Sequence, residues 1–383
     1  MFKGAILDQH VPPLRRFRLN ADLGMMAADL GISRVTGRAM RHLGHSTLDL
    51  GSDPYFHPVC VALFTSASPP TSLLAVGDTG GYLRLCQDPI SSERHEICPS
   101  VGAHRQMIYD LDWANDGSYI ASASADGTIC ISTLTSSCLC EPVLTLTSDV
   151  VSVRTVACHP DDRHVLASGS LDGSVCVWDT RMQQTHPISP LSKVHLCKKS
   201  AWHSVQGIEF LNPNCFLSCM YHGYVCLWDI RQLACPAMMT AVQCSAPNVH
   251  VSSLSCVRVS PCRTRAALLS TAGYCLVLTL PPAAEAECLA IPLSANLCGL
   301  LRESKLDWSP CGRFLACGSN DVDQCVHIID MLLGHVVQRL RHSSAVTDVA
   351  WFKDRTGIIS VDCDDLIHVW QPRMPPFFSS GLT

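Results

Sequence analysis

The chain has 383 residues, 47% of them hydrophobic and only 16% charged, a balance that fits a compact folded body and excludes a disordered or fibrous chain. Its 28 Lys and Arg against 33 Asp and Glu give a net charge of -5, so no global basic field draws it directly to nucleic acid. The 23 cysteines are odd in number, form no Cys-x-x-Cys pair and follow no apolar signal segment, a usage that fits reduced, intracellular thiols.

Residues 1–50 stand outside the pattern of the rest and form an N-terminal arm. Within it, 21–43 (ADLGMMAADLGISRVTGRAMRHL) alternates helix formers with glycines and reads as a weak helix or ordered arm. The segment Thr47–Leu50 is placed to supply an outer strand to the last unit of the following repeat. From 51 to 371, tight turns recur at Gly81, Gly127, Gly173, Gly223 and Gly273, then at Asp323-Gln324 and Asp364-Asp365, at intervals of 41 to 51 residues. Each unit is made of short strands and polar turns, as in VLASGSLDGSVCVWD (165–179), where Asp-Gly supplies the positive φ of a two-residue hairpin. Self-similarity of this period in a chain of short strands predicts an all-β, seven-bladed β-propeller with four strands per blade.

Cys130, Cys176 and Cys226 fall at one place in their units, inside the apolar runs ICI, VCV and VCL, where a thiol packs as a small hydrophobe. The sequence implies no cofactor and no metal. Residues 182–203 are the longest clear insertion, carrying His195, Lys198 and Lys199, and long propeller loops are where partners are read. The most apolar stretch, 266–284, breaks at Thr271-Ala272-Gly273 and stops at two prolines, so it is read as two strands and not as a membrane span. Residues 372–383 form a short tail.

From about Val59 to Trp370 the chain resembles the WD-repeat family. That resemblance implies a buried chain of hydrogen bonds in each blade, from a His before the first strand, a Ser or Thr in the second, the turn Asp and the third-strand Trp. The seventh unit carries all four as His342, Ser360, Asp364 and Trp370; the third keeps Ser168, Asp172 and Trp178; the second keeps His104, Ser122 and Asp126 with Ser132 in place of Trp. Ser, His and Asp within one blade are therefore read as fasteners and not as a catalytic triad.

VWDTR (177–181) returns as LWDIR (227–231), adding Arg181 and Arg231 two positions past each Asp, on neighbouring blades. Two guanidinium forks one blade apart make a directional anchor for an acidic or carbonyl-rich surface. Trp-Asp-x-Arg resembles the box by which substrate receptors dock onto the damaged-DNA-binding adaptor of cullin-RING ubiquitin ligases. The order GYLRL, VWDTR, insertion, LWDIR and the start MFKGAILDQ are similar to the denticleless receptors. The resemblance implies a non-catalytic, nuclear receptor with a possible cytoplasmic pool, whose arm also docks and which presents replication and cell-cycle proteins bound to the DNA sliding clamp. Its adaptor box would comprise Asp172, Trp178, Asp179 and Arg181, with Trp228, Asp229 and Arg231 as a second copy that has His222 for the turn Asp. The competing expectation is a plain WD-repeat scaffold of another assembly. In the tail, QPRMPPFF fits the clamp-binding box Gln-x-x-aliphatic-x-x-aromatic-aromatic, with Gln371, Met374, Phe377 and Phe378 as its contacts.

Overall fold

The computed structural model describes residues 43–48, 56–67, 70–89, 96–134, 140–147, 151–182, 189–191, 204–232, 236–242, 253–280, 288–293, 304–319, 323–353 and 357–372. They form seven antiparallel sheets, six of four strands and one of five. Blade 1 holds Pro58–Ala67, Pro70–Asp78 and Tyr82–Gln87, whose third strand pairs with two short pieces, Glu96–Ile97 and Val101–Gly102. In blade 3 the inner, second, third and outer strands are Val153–Cys158, Val165–Ser170, Val175–Asp179 and Ser189–Leu191. Its outer strand lies within the stretch expected to be an insertion, because the blade draws its fourth strand from there. His195, Lys198 and Lys199 lie outside the described residues, as do arm residues 21–42.

The turn before each third strand shows why the repeat is legible. Gly81, Gly127, Gly173, Gly223 and Gly273 have φ between 79° and 88°, and Gln324 (45°) and Asp365 (64°) hold the same place without being glycine. All seven turns therefore need the left-handed region, and the local residue choice follows.

Second strands such as Tyr119–Ser124 are buried at every position, because each sheet packs a neighbour on both faces. The apolar core accordingly divides into seven clusters, one at each junction between consecutive blades. The junction of blades 7 and 1, for example, joins Ala350, Phe352, Ile359 and Val361 to Phe56, Val61, Leu74 and Val76. The ring is also closed by the chain itself. Leu43–Leu48 pairs antiparallel with Ile367–Pro372 as the outer strand of blade 7, in a register from Leu43 opposite Pro372 to Leu48 opposite Ile367. This strand begins earlier than the expected Thr47–Leu50, which it overlaps only at Thr47 and Leu48.

Blade fastening follows the expected residues with one correction. Trp178, Trp228 and Trp370 each donate Nε1–H to a second-strand serine, Ser168, Ser218 and Ser360, at 2.8 Å. In blade 2, His104 reaches Ser122 Oγ at 2.7 Å and Thr128 Oγ1 at 2.9 Å, and Asp126 holds Thr128. In blade 7, however, the acid that meets His342 is Asp362 and not Asp364. Asp362 ends the second strand fully buried, 3.4 Å from His342 Nδ1, whereas the Asp364 backbone N–H donates to Asp362 Oδ1.

Candidate docking face and central cavity

Equivalent turns put Arg181 and Arg231 on one face of the disc, each just past the third strand of its blade. Each guanidinium is braced by the Asp of its own Trp-Asp pair. Arg181 Nε and Nη2 donate to Asp179 at 2.8 and 2.6 Å; Arg231 Nε and Nη2 donate to Asp229 at 2.9 and 2.6 Å. In both, the Arg backbone N–H also donates to the same carboxylate at 2.9 Å, so the turn and the fork share one acceptor. Arg181 further meets Asp162, in the turn after the inner strand, at 3.3 Å. The Arg231 hydrogen bonds hold the Asp229 carboxyl down to about 2, and those of Arg181 lower Asp179 likewise. The forks stay presented: their side chains are 53% and 66% exposed. A bidentate brace of this kind fixes an arginine's direction, which matters more for recognition than the modest stability of an exposed ion pair.

The expected box is thus divided. Asp179, Arg181, Asp229 and Arg231 lie together on this face. Trp178 and Trp228 are 1% and 0% exposed and act through the interior. Asp172 sits at the other end of the third strand, roughly 20 Å away by the strand rise, where it accepts from the Ser174 backbone and hydroxyl. His222 marks the same opposite face in blade 4. Gln371 lies inside Ile367–Pro372 and pairs with Gly44; Met374, Phe377 and Phe378 fall outside the described residues.

The same face opens into a central cavity of about 520 Å³, lined by the later halves of the inner strands and the turns that follow them. A ring of seven side chains and a deeper ion cluster explain its chemistry. The ring, at the positions equivalent to Asp112, is Ala62, Asp112, Ala157, Glu209, Arg258, Asp307 and Ala350, and all seven line the cavity. Arg258 pairs with Glu209 at 3.4 Å. Burial pushes Asp112 up to about 6 and Glu209 up to about 7, the latter against the pull of Arg258. One step deeper, Lys305 bridges Asp110 (2.7 Å) and Asp348 (3.1 Å) across the channel.

These acids also tie blade to blade. Asp112 accepts the Cys158 N–H, Asp307 the Trp351 N–H, Asp110 the Val156 N–H and Asp348 the Val61 N–H, each from the next blade round the ring. Trp113, Trp308 and Trp351 return the pairing by donating Nε1–H to the preceding blade, at Ala62, Arg258 and Asp307 carbonyls. Sequence reasoning missed this ring. Its signal was the intrusion of charge into otherwise apolar inner strands, IYDLDW, LDW and VTDVAW.

Comparisons with known proteins agree with this architecture. The family model "WD domain, G-beta repeat" matches residues 96–131, 140–179, 304–330 and 334–371. Protein lethal(2)denticleless of Drosophila melanogaster is 23% identical over 352 residues, covering 82% of this chain and 44% of that protein. Nucleoporin Nup43 of Mus musculus is 37% identical over 87 residues, 23% of this chain and 21% of that protein. The chain thus spans less than half the length of these relatives. Among solved structures, the β-propeller domain of Cps50 (Swd1) from Myceliophteria thermophila superposes with a TM-score of 0.69 at 14% identity, over 86% of this chain and 99% of that one. The protein is a seven-bladed WD-repeat propeller that resembles the denticleless family.

Proposed function

We propose that this propeller is the substrate-recognition subunit of a cullin-RING ubiquitin ligase and docks on the damaged-DNA-binding adaptor through Arg181 and Arg231. The observation that carries the reading is the pair of Asp-braced, exposed guanidinium forks on adjacent blades of one face, in a chain similar along most of its length to denticleless proteins. The receptor contributes proximity and not bond chemistry: it raises the local concentration of substrate lysines near a charged enzyme. Because the central cavity opens beside the arginines, an adaptor lying across them also covers its mouth. The opposite face, built from the seven positive-φ turns, is then left to read the substrate, for which the family points to clamp-bound replication and cell-cycle proteins in the nucleus.

A second reading, a non-catalytic scaffold of another assembly, is favoured by the local match to Nup43, which is higher in identity though short. Affinity purification of the tagged chain with mass spectrometry separates the two. Recovery of adaptor and cullin supports the receptor; recovery of a different stable assembly without them supports the scaffold.

A further inference from the structure

We propose that His342, Asp362 and His368 form a binding site for one divalent transition-metal ion, best suited to zinc, within the blade that closes the ring. His342 lies in the turn entering blade 7, Asp362 ends its second strand and His368 is in the middle of its third. Their side chains are almost wholly removed from solvent, at 0%, 0% and 6% exposure. His342 Nδ1 and His368 Nε2 converge on a single oxygen, Asp362 Oδ2, at 3.4 and 2.9 Å, and the three atoms all lie within 4.8 Å of one another. A tetrahedral ion with bonds of about 2.0–2.1 Å holds its ligands about 3.3 Å apart, which the two His–Asp separations approach to within about half an ångström.

The far side of every donor is already held, as metal ligands require. His342 Nε2 meets Ser360 Oγ at 3.1 Å, and His368 Nδ1 meets His45 Nε2 at 2.6 Å. Asp362 Oδ1 accepts the backbone N–H groups of Leu366 and Asp364, each at 3.1 Å. Two imidazoles and one carboxylate are a donor set that zinc favours, with water in the fourth place.

The set is peculiar to this blade. At the place of His368, blades 2, 3 and 4 carry Cys130, Cys176 and Cys226, and at the place of Asp362, blades 2 and 3 carry Ser124 and Ser170. Because His45 sits on Leu43–Leu48, an ion at His368 also steadies the strand that closes the ring. Without the ion the same atoms form a hydrogen-bonded chain, and that is the outcome the experiment must separate.

The full chain is produced in zinc-supplemented medium, purified under reducing conditions without chelator or immobilised metal, and its metal content measured by plasma mass spectrometry. One zinc per chain is expected in wild type and none in His368→Val or Asp362→Ser. Replacement by cobalt gives the visible bands of tetrahedral coordination without thiolate charge transfer, a readout that needs no variant. Zinc removal lowers the melting temperature of wild type by several degrees and leaves His368→Val unchanged. Metal-free wild type that gives no such cobalt spectrum, or equal zinc in wild type and His368→Val, overturns the site.

Discussion

Burial decides which side chains stay chemically silent. It pushes Cys176 up to about 12 and Cys226 up to about 11, while at Cys262 burial is outweighed by the Ser260 and Thr264 hydroxyls, at 3.3 and 2.9 Å from the sulfur, and its pKa is lowered. Brief iodoacetamide treatment should therefore label Cys262 about tenfold or more ahead of Cys176 and Cys226, read by peptide mass spectrometry. Equal labelling would contradict the burial pattern. His327 gives a pH test. Burial, against the pull of Asp323 and with the push of Arg339, brings it from 6.5 to about 4. The folded value lies below the unfolded one, so the unfolded chain binds more protons and stability falls as pH drops from 6.5 towards 4. The loss from this one group is of the order of 3 kcal/mol across that window. His327→Leu should flatten the melting temperature against pH there, and an unchanged slope would remove His327 from the account. What was legible at this scale was what local sequence decides. A turn that needs positive φ favours Gly, so five of the seven turns could be placed by their glycine and the other two, at Gln324 and Asp365, by the spacing. In Asp-Cys-Asp-Asp (362–365), by contrast, two neighbouring acids compete for His342, and only burial shows that Asp362 wins over Asp364.

The inner strands are the elements on which the ring depends, and their charges were the least readable. Strand existence followed from alternation and turn chemistry, yet the facing of Asp110, Lys305 and Asp348 joins residues nearly two hundred positions apart, which no local pattern contains. Lys305→Met leaves two nearly buried carboxylates without their cation and should cost about 3–5 kcal/mol in denaturant unfolding. Adding Asp110→Asn should recover part of that loss, the mark of direct coupling; additive losses would show that the three do not act as a unit. The outer strand of blade 7 bears on the tail box. Gln371 is committed to pairing with Gly44, so a sliding clamp that takes the box competes with ring closure. A peptide of residues 368–383 should bind the clamp more tightly than the folded chain does, and Phe377→Ala with Phe378→Ala should abolish it. No binding of the peptide returns the tail to packing.

At the scale of the whole molecule, seven apolar junctions and a strand from the other end of the repeat tie the blades into one disc, and in the proposed docking that common frame would let two arginines on separate blades serve as one anchor. The number of blades could be counted in the sequence because each repeats one turn; which residues of the Trp-Asp-x-Arg boxes reach solvent could not, because the strand that carries the box buries its Trp and separates Asp172 from Arg181. The most direct test is binding of the purified chain to the purified damaged-DNA-binding adaptor, followed by biolayer interferometry, for wild type and for Arg181→Ala with Arg231→Ala. The account predicts a loss of about thirtyfold or more, in line with about 2 kcal/mol for charge-assisted contacts at an interface centre, with circular dichroism and melting temperature unchanged. Binding by the double variant at wild-type affinity would contradict it.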